Sequence, residues 1–101
     1  MRKTFNLKVS NKEPARQADS IKHEVKKYLK RERKKTLPEK VDFWDFDCRI
    51  GDNAEAAKVI NVADINSNIT KFLEADKDEF YLEILAKHGF KTARIKAIGQ
   101  K

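Results

Sequence analysis

Between Pro14 and Lys35 the large apolar side chains, with Ala18, keep to one narrow stripe. Ala18, Ile21, Val25, Tyr28 and Leu29 recur at spacings of three and four, spanning about 100° of a helical wheel. Lys22, Lys26, Lys27, Lys30, Arg31, Arg33 and Lys34, with His23, fill about 180° of the remainder. A helix of this kind cannot be buried all round. One side must lie on an apolar surface and the other must face water, so the rest of the chain has to supply that surface.

The flanking segments supply it as strands. Phe5, Leu7 and Val9 alternate with Asn6 and Lys8, the period of a half-buried strand. Val41 to Ile50 is the clearest strand, with Trp44, Phe46, Cys48 and Ile50 on one face and Phe43, Asp45, Asp47 and Arg49 on the other. Gly51-Asp52-Asn53 is a turn signal, and Ala57 to Val62 reads as the returning hairpin arm. A second helix, capped by Asp64 or Asn61, runs to about Ala75 with Ile65, Ile69, Phe72 and Leu73 on its stripe. Phe80 to Ala86 is the last strand, closed by His88-Gly89. The first helix starts after Asn11, a suitable N-cap, with Pro14 in its first turn, and stops at Leu37-Pro38.

The order β-α-β-β-α-β predicts an α+β, two-layer sandwich: a ferredoxin-like antiparallel sheet with two helices on one face. The expected organisation is a single domain over residues 1–89, followed by a basic, mobile tail over 90–101. One core is all that 101 residues ordinarily build.

Several classes are disfavoured. No stretch reaches the roughly 20 apolar residues of a membrane helix, so no membrane partner is expected. Met1-Arg2-Lys3 is followed by alternation and not by an apolar run, which reads as a strand and not a leader. A single cysteine, Cys48, forbids an internal disulfide and suits a reducing cytoplasm. On the apolar side of its strand, Cys48 is expected to be a buried, inert thiol. His23 and His88 offer no dyad with it. The chain lacks a phosphate-cradling glycine loop, a dinucleotide fingerprint and a metal-histidine pair, and no cofactor is expected.

Charge carries the functional signal. Residues 1–35 hold 13 Lys and Arg against 4 Asp and Glu, residues 36–86 hold 5 against 12, and residues 87–101 hold 5 against none. Either the basic segments form an outward patch for a polyanion, or they fold against the acidic middle and neutralise it. With no catalytic constellation, the composition points to a non-catalytic binding module. Its expected partner is nucleic acid, RNA or the ribosome, met through Lys22, Lys26, Lys27, Lys30, Arg31, Arg33 and Lys34. The strands lack the aromatic motif that base stacking on a sheet requires, so backbone phosphates are the expected contact. One alternative is an adaptor, in which the same basic helix docks an acidic protein surface or Tyr81 and Phe43 mark an exposed patch. Another is a metal-dependent enzyme using Asp42, Asp45, Asp47 and Asp52; the simpler account of those carboxylates is cross-strand pairing with Lys or Arg.

The segment Ile21-Lys22-His23-Glu24-Val25-Lys26-Lys27-Tyr28-Leu29-Lys30-Arg31-Glu32-Arg33, then Leu37-Pro38 and Val41-Asp42-Phe43-Trp44-Asp45-Phe46-Asp47-Cys48, is distinctive. With Phe5 and the run Phe80 to Lys87, it resembles a family of short bacterial proteins labelled only as a domain of unknown function. The resemblance covers most of residues 1–89. It implies a bacterial origin and supplies no catalytic or binding residues.

Overall fold

A computed structural model describes residues 1–90. Residues 91–101, most of the expected tail, lie outside the described residues. The elements are β1 (Arg2–Asn6), α1 (Pro14–Arg33), β2 (Phe43–Gly51), β3 (Lys58–Ile60), a single 3-10 turn (Val62–Asp64), α2 (Ile65–Glu74) and β4 (Glu79–Gly89). The four strands form one antiparallel sheet in the order β1-β4-β2-β3.

That order differs from the ferredoxin-like expectation. A ferredoxin-like sheet has its first and third strands at the centre; here those two are the edges. The physical reason lies in β4. Phe80, Tyr81, Leu82, Glu83 and Ile84 are all buried, a near-continuous run that needs strands on both sides. Strand β1 carries Arg2 and Lys3, charges that suit an edge. Strand β4 is also longer than its apolar run, because His88 and Gly89 continue the ladder opposite Trp44 and Phe43.

One face of the sheet carries the core. Register places Phe5 opposite Phe80, Ile84 opposite Cys48, Leu82 opposite Ile50 and Phe46 opposite Ala86. Both helices bury their stripes in the same cluster, α1 through Ala18, Ile21, Val25 and Leu29 and α2 through Ile65 and Ile69. Each fully buried aliphatic side chain there is worth about 1.5–3 kcal/mol in removed apolar surface. Phe80 stacks between Phe5 and Phe72, each ring 5.5 Å away. Tyr28, Trp44, Phe72 and Leu73 pack around the margin, half-buried.

The start of α1 differs from the expected cap. Asn11 lies in a tight turn between Val9 and Lys12, which are bridged to each other. The N-cap is Glu13, with no side-chain cap bond, and Pro14 opens the helix. At the other end the Trp44 indole N–H donates to the Lys35 carbonyl at 2.9 Å. That bond ties the segment just past the end of α1 to β2.

The topology predicts a sharp contrast between two aliphatic truncations. Leu82 is fully buried on central β4, whereas Val59, on edge strand β3, is 81% exposed. Leu82→Ala should cost about 2–5 kcal/mol in urea unfolding. Val59→Ala should stay within about 0.5 kcal/mol.

Candidate functional site

Packing of the α1 stripe fixes where every cation on that helix points. On the flank toward α2, Lys22 Nζ donates to Thr70 Oγ1 at 2.6 Å, and the Arg33 guanidinium lies 5.4 Å from the Phe46 ring centre. On the flank toward β1, Arg31 lies 5.5 Å from the Tyr28 ring centre, and Glu24 accepts from Lys3 at 3.0 Å. Between the flanks stand Lys26, Lys27, Lys30 and Lys34, all exposed. Among the described residues none of these four makes an ion pair. The seven cations expected from the sequence therefore divide into three that contact a side chain of the fold and four that make no ion pair or ring contact among the described residues.

The two arrangements of charge expected from the sequence both occur, in different places. The basic N-terminal strand does fold against the acidic middle: Arg2 pairs with Glu83 at 3.6 Å, and Lys8 with Asp76 and Asp78 at 3.0 and 3.1 Å. Hydrogen bonds to those two aspartates raise the Lys8 pKa. The cations of α1, by contrast, make no ion pair with its acids among the described residues. The helix's described ion pairs are Lys3–Glu24 and Lys35–Glu32, and neither uses an acid from the middle segment.

On the sheet face away from the helices, the aspartates of β2 find lysine. Lys87 stands opposite Asp45 and donates to Asp47 Oδ1 at 2.7 Å, with Asp45 Oδ2 at 3.9 Å. The bond to Asp47 raises the Lys87 pKa. Asp52 pairs with Lys77 at 3.4 Å. Cross-strand pairing is thus the observed use of Asp45 and Asp47, while Asp52 pairs between loops. Among the described residues no three His, Cys, Asp or Glu side chains gather where a metal ion could sit.

The expected patch around Tyr81 and Phe43 is not formed. Tyr81 is only 9% exposed, because β1 and β2 flank it on a central strand, and Phe43 is half-buried. The Tyr81 hydroxyl donates to Glu83 at 2.8 Å. Glu83 in turn stands opposite both Arg2 and Arg49, with contacts of 3.6 Å to each. Sequence reasoning passed over this cluster, whose signal was a lone Glu inside the most apolar strand. Its groups satisfy one another, which makes it a cross-strand brace.

A groove of about 510 Å³ lies between β1 and α1, lined by Lys3, His23, Glu24, Lys27, Tyr28 and Arg31 among others. The sequence gives no sign of it, since it exists only because β1 is an edge strand beside α1. Cys48 is 1% exposed, and burial, helped by Asp47 and Asp45, pushes its thiol up to about 11. Its cross-strand neighbour is Ile84, while His88 stands opposite Trp44 and His23 is exposed on α1.

The model of a family of unknown function (DUF6172) matches residues 1–95. No curated protein and no solved structure matches the chain.

The Cys48 environment predicts a masked thiol. At pH 8 a group with a pKa of about 11 is almost wholly protonated, and its burial blocks approach. A disulfide reagent such as dithionitrobenzoate should label the native protein only at the slow rate of unfolding, and labelling should become rapid in denaturant.

Proposed function

We propose that this chain, which belongs to that family of unknown function, is a non-catalytic binding module that contacts nucleic-acid backbone phosphates through α1. The observation that carries this reading is the group Lys26, Lys27, Lys30 and Lys34, exposed and without ion pairs among the described residues while the basic strand beside them pairs with acids. Cations that the fold does not neutralise are available to displace the counterions of a polyanion. RNA or a ribosomal surface, met in the reducing cytoplasm of a bacterial cell, is the leading partner. The buried reduced Cys48 and the family resemblance support that setting.

An acidic protein surface is the competing partner. Its aromatic-patch version is less favoured, because neither Tyr81 nor Phe43 offers the exposed anchor on which such contacts commonly centre. Docking through the same α1 lysines is told apart by recovery of a partner from a nuclease-treated lysate. Metal-dependent catalysis on the acidic strand gains no support from carboxylates already paired with Lys87 and Lys77.

Lys26, Lys30 and Lys34 lie one turn apart and form a row along about 12 Å of helix. Replacing all three by Gln should leave the fold intact and raise stability by a few tenths of a kcal/mol per relieved pair. The triple variant should bind RNA and duplex DNA more weakly, whatever the sequence. The slope of log affinity against log salt should flatten by about one unit per lost contact. Fluorescence anisotropy over a salt series measures both. A folded triple variant with an unchanged slope would show that another face binds.

A further inference from the structure

The groove between β1 and α1 has a strand for one wall and a helix for the other. Lys3 stands on the strand wall, and Lys27 and Arg31 stand one turn apart on the helix wall. Two of these cations are steadied by rings: Lys3 Nζ lies 4.8 Å from the Phe5 ring centre, and Arg31 lies 5.5 Å from that of Tyr28. Such contacts hold a charge near the groove when it would otherwise sweep through solvent. The groove, about 510 Å³ and open to solvent along one side, is far larger than a lone ion requires. Glu24 is the acid in the lining, and it holds Lys3 at 3.0 Å. Lys27 belongs at once to this groove and to the unpaired lysines of α1, so the two cationic surfaces are continuous.

We propose that the groove is a track for one nucleic-acid strand, whose phosphates pass between Lys3 on one side and Lys27 and Arg31 on the other. This rests on the reading of α1 as a phosphate-binding surface and adds the class of nucleic acid. A duplex is too wide to enter between a strand and a helix packed on the same sheet. It can touch only the outer lysines. A single strand reaches both surfaces and therefore binds more tightly. Glu24 is the built-in competitor, since an entering phosphate must take Lys3 from it.

The test uses the full chain and two probes, an unstructured RNA oligonucleotide and a duplex of equal length, followed by anisotropy at about 50–200 mM salt. The wild-type protein should prefer the single strand. Lys3→Gln with Arg31→Gln should weaken single-strand binding about tenfold and lower its salt slope by about 1.4, at about 0.7 per contact, with a clearly smaller loss on the duplex. Glu24→Gln should strengthen single-strand binding, a gain that damage to the fold cannot produce. Equal losses on both probes, or no gain from Glu24→Gln, would overturn the track and leave the outer lysines as the phosphate surface. Displacement of the strand by millimolar inorganic phosphate would assign the groove to a lone phosphate and also overturn it. Failure of the wild-type protein to bind either probe at the lowest salt would overturn both readings.

Discussion

The burial of one helical stripe on one sheet face is the constraint from which the rest follows. Ala18, Ile21, Val25 and Leu29 meet Phe46, Cys48, Ile50, Phe80, Leu82 and Ile84 in a single cluster. Once that face of α1 is fixed, the rotation of the helix is fixed, and so is the direction of every cation along it. Lys22 and Arg33 are turned toward the rest of the fold and acquire partners there. Lys26, Lys27, Lys30 and Lys34 are turned outward, exposed and without an ion pair among the described residues. The cationic surface is thus a consequence of core packing, with hydrophobic burial offsetting the repulsion between like charges a few ångströms apart.

Charge is handled differently on the two sides of the sheet. On the face without helices the ionic groups are matched across strands, Glu83, itself buried, between Arg2 and Arg49, and Asp45 and Asp47 beside Lys87. On the helix side Glu24 and Glu32 pair with Lys3 and Lys35, and among the described residues Lys26, Lys27, Lys30 and Lys34 have no matching acid. Cross-strand register brings opposite charges together at fixed distances, whereas a helix has only its own turns and its neighbours from which to find partners. Among the described residues the open sheet face thus has its charges largely matched, while the outer side of α1 keeps cations without partners.

Local patterns were legible in the sequence and long-range pairing was not. The stripe of α1 and the alternation Trp44-Phe46-Cys48-Ile50 are periodic signals, and both are found where expected. The order of strands depends on which edges meet after the helices have crossed the sheet, which no local period records. The buried pair Tyr81 and Glu83 marked β4 as central, but that signal is readable only once a polar residue in an apolar run is taken as a braced position. Asn11 failed as a cap because the chain between Val9 and Lys12 closes on itself first. The groove beside β1 was invisible for the same reason as the strand order: Lys3 and Arg31 are distant in sequence and become neighbours only through the sheet edge.

The most direct test of the account is a map of where nucleic acid touches the folded protein. Backbone amide shifts recorded during titration with a short RNA at about 50 mM salt would provide it. The account predicts changes concentrated on the solvent side of α1, at Lys26, Lys27, Lys30 and Lys34, with the opposite sheet face around Asp45, Asp47 and Lys87 silent. Shifts confined to that opposite face, or none at saturating RNA, would contradict it.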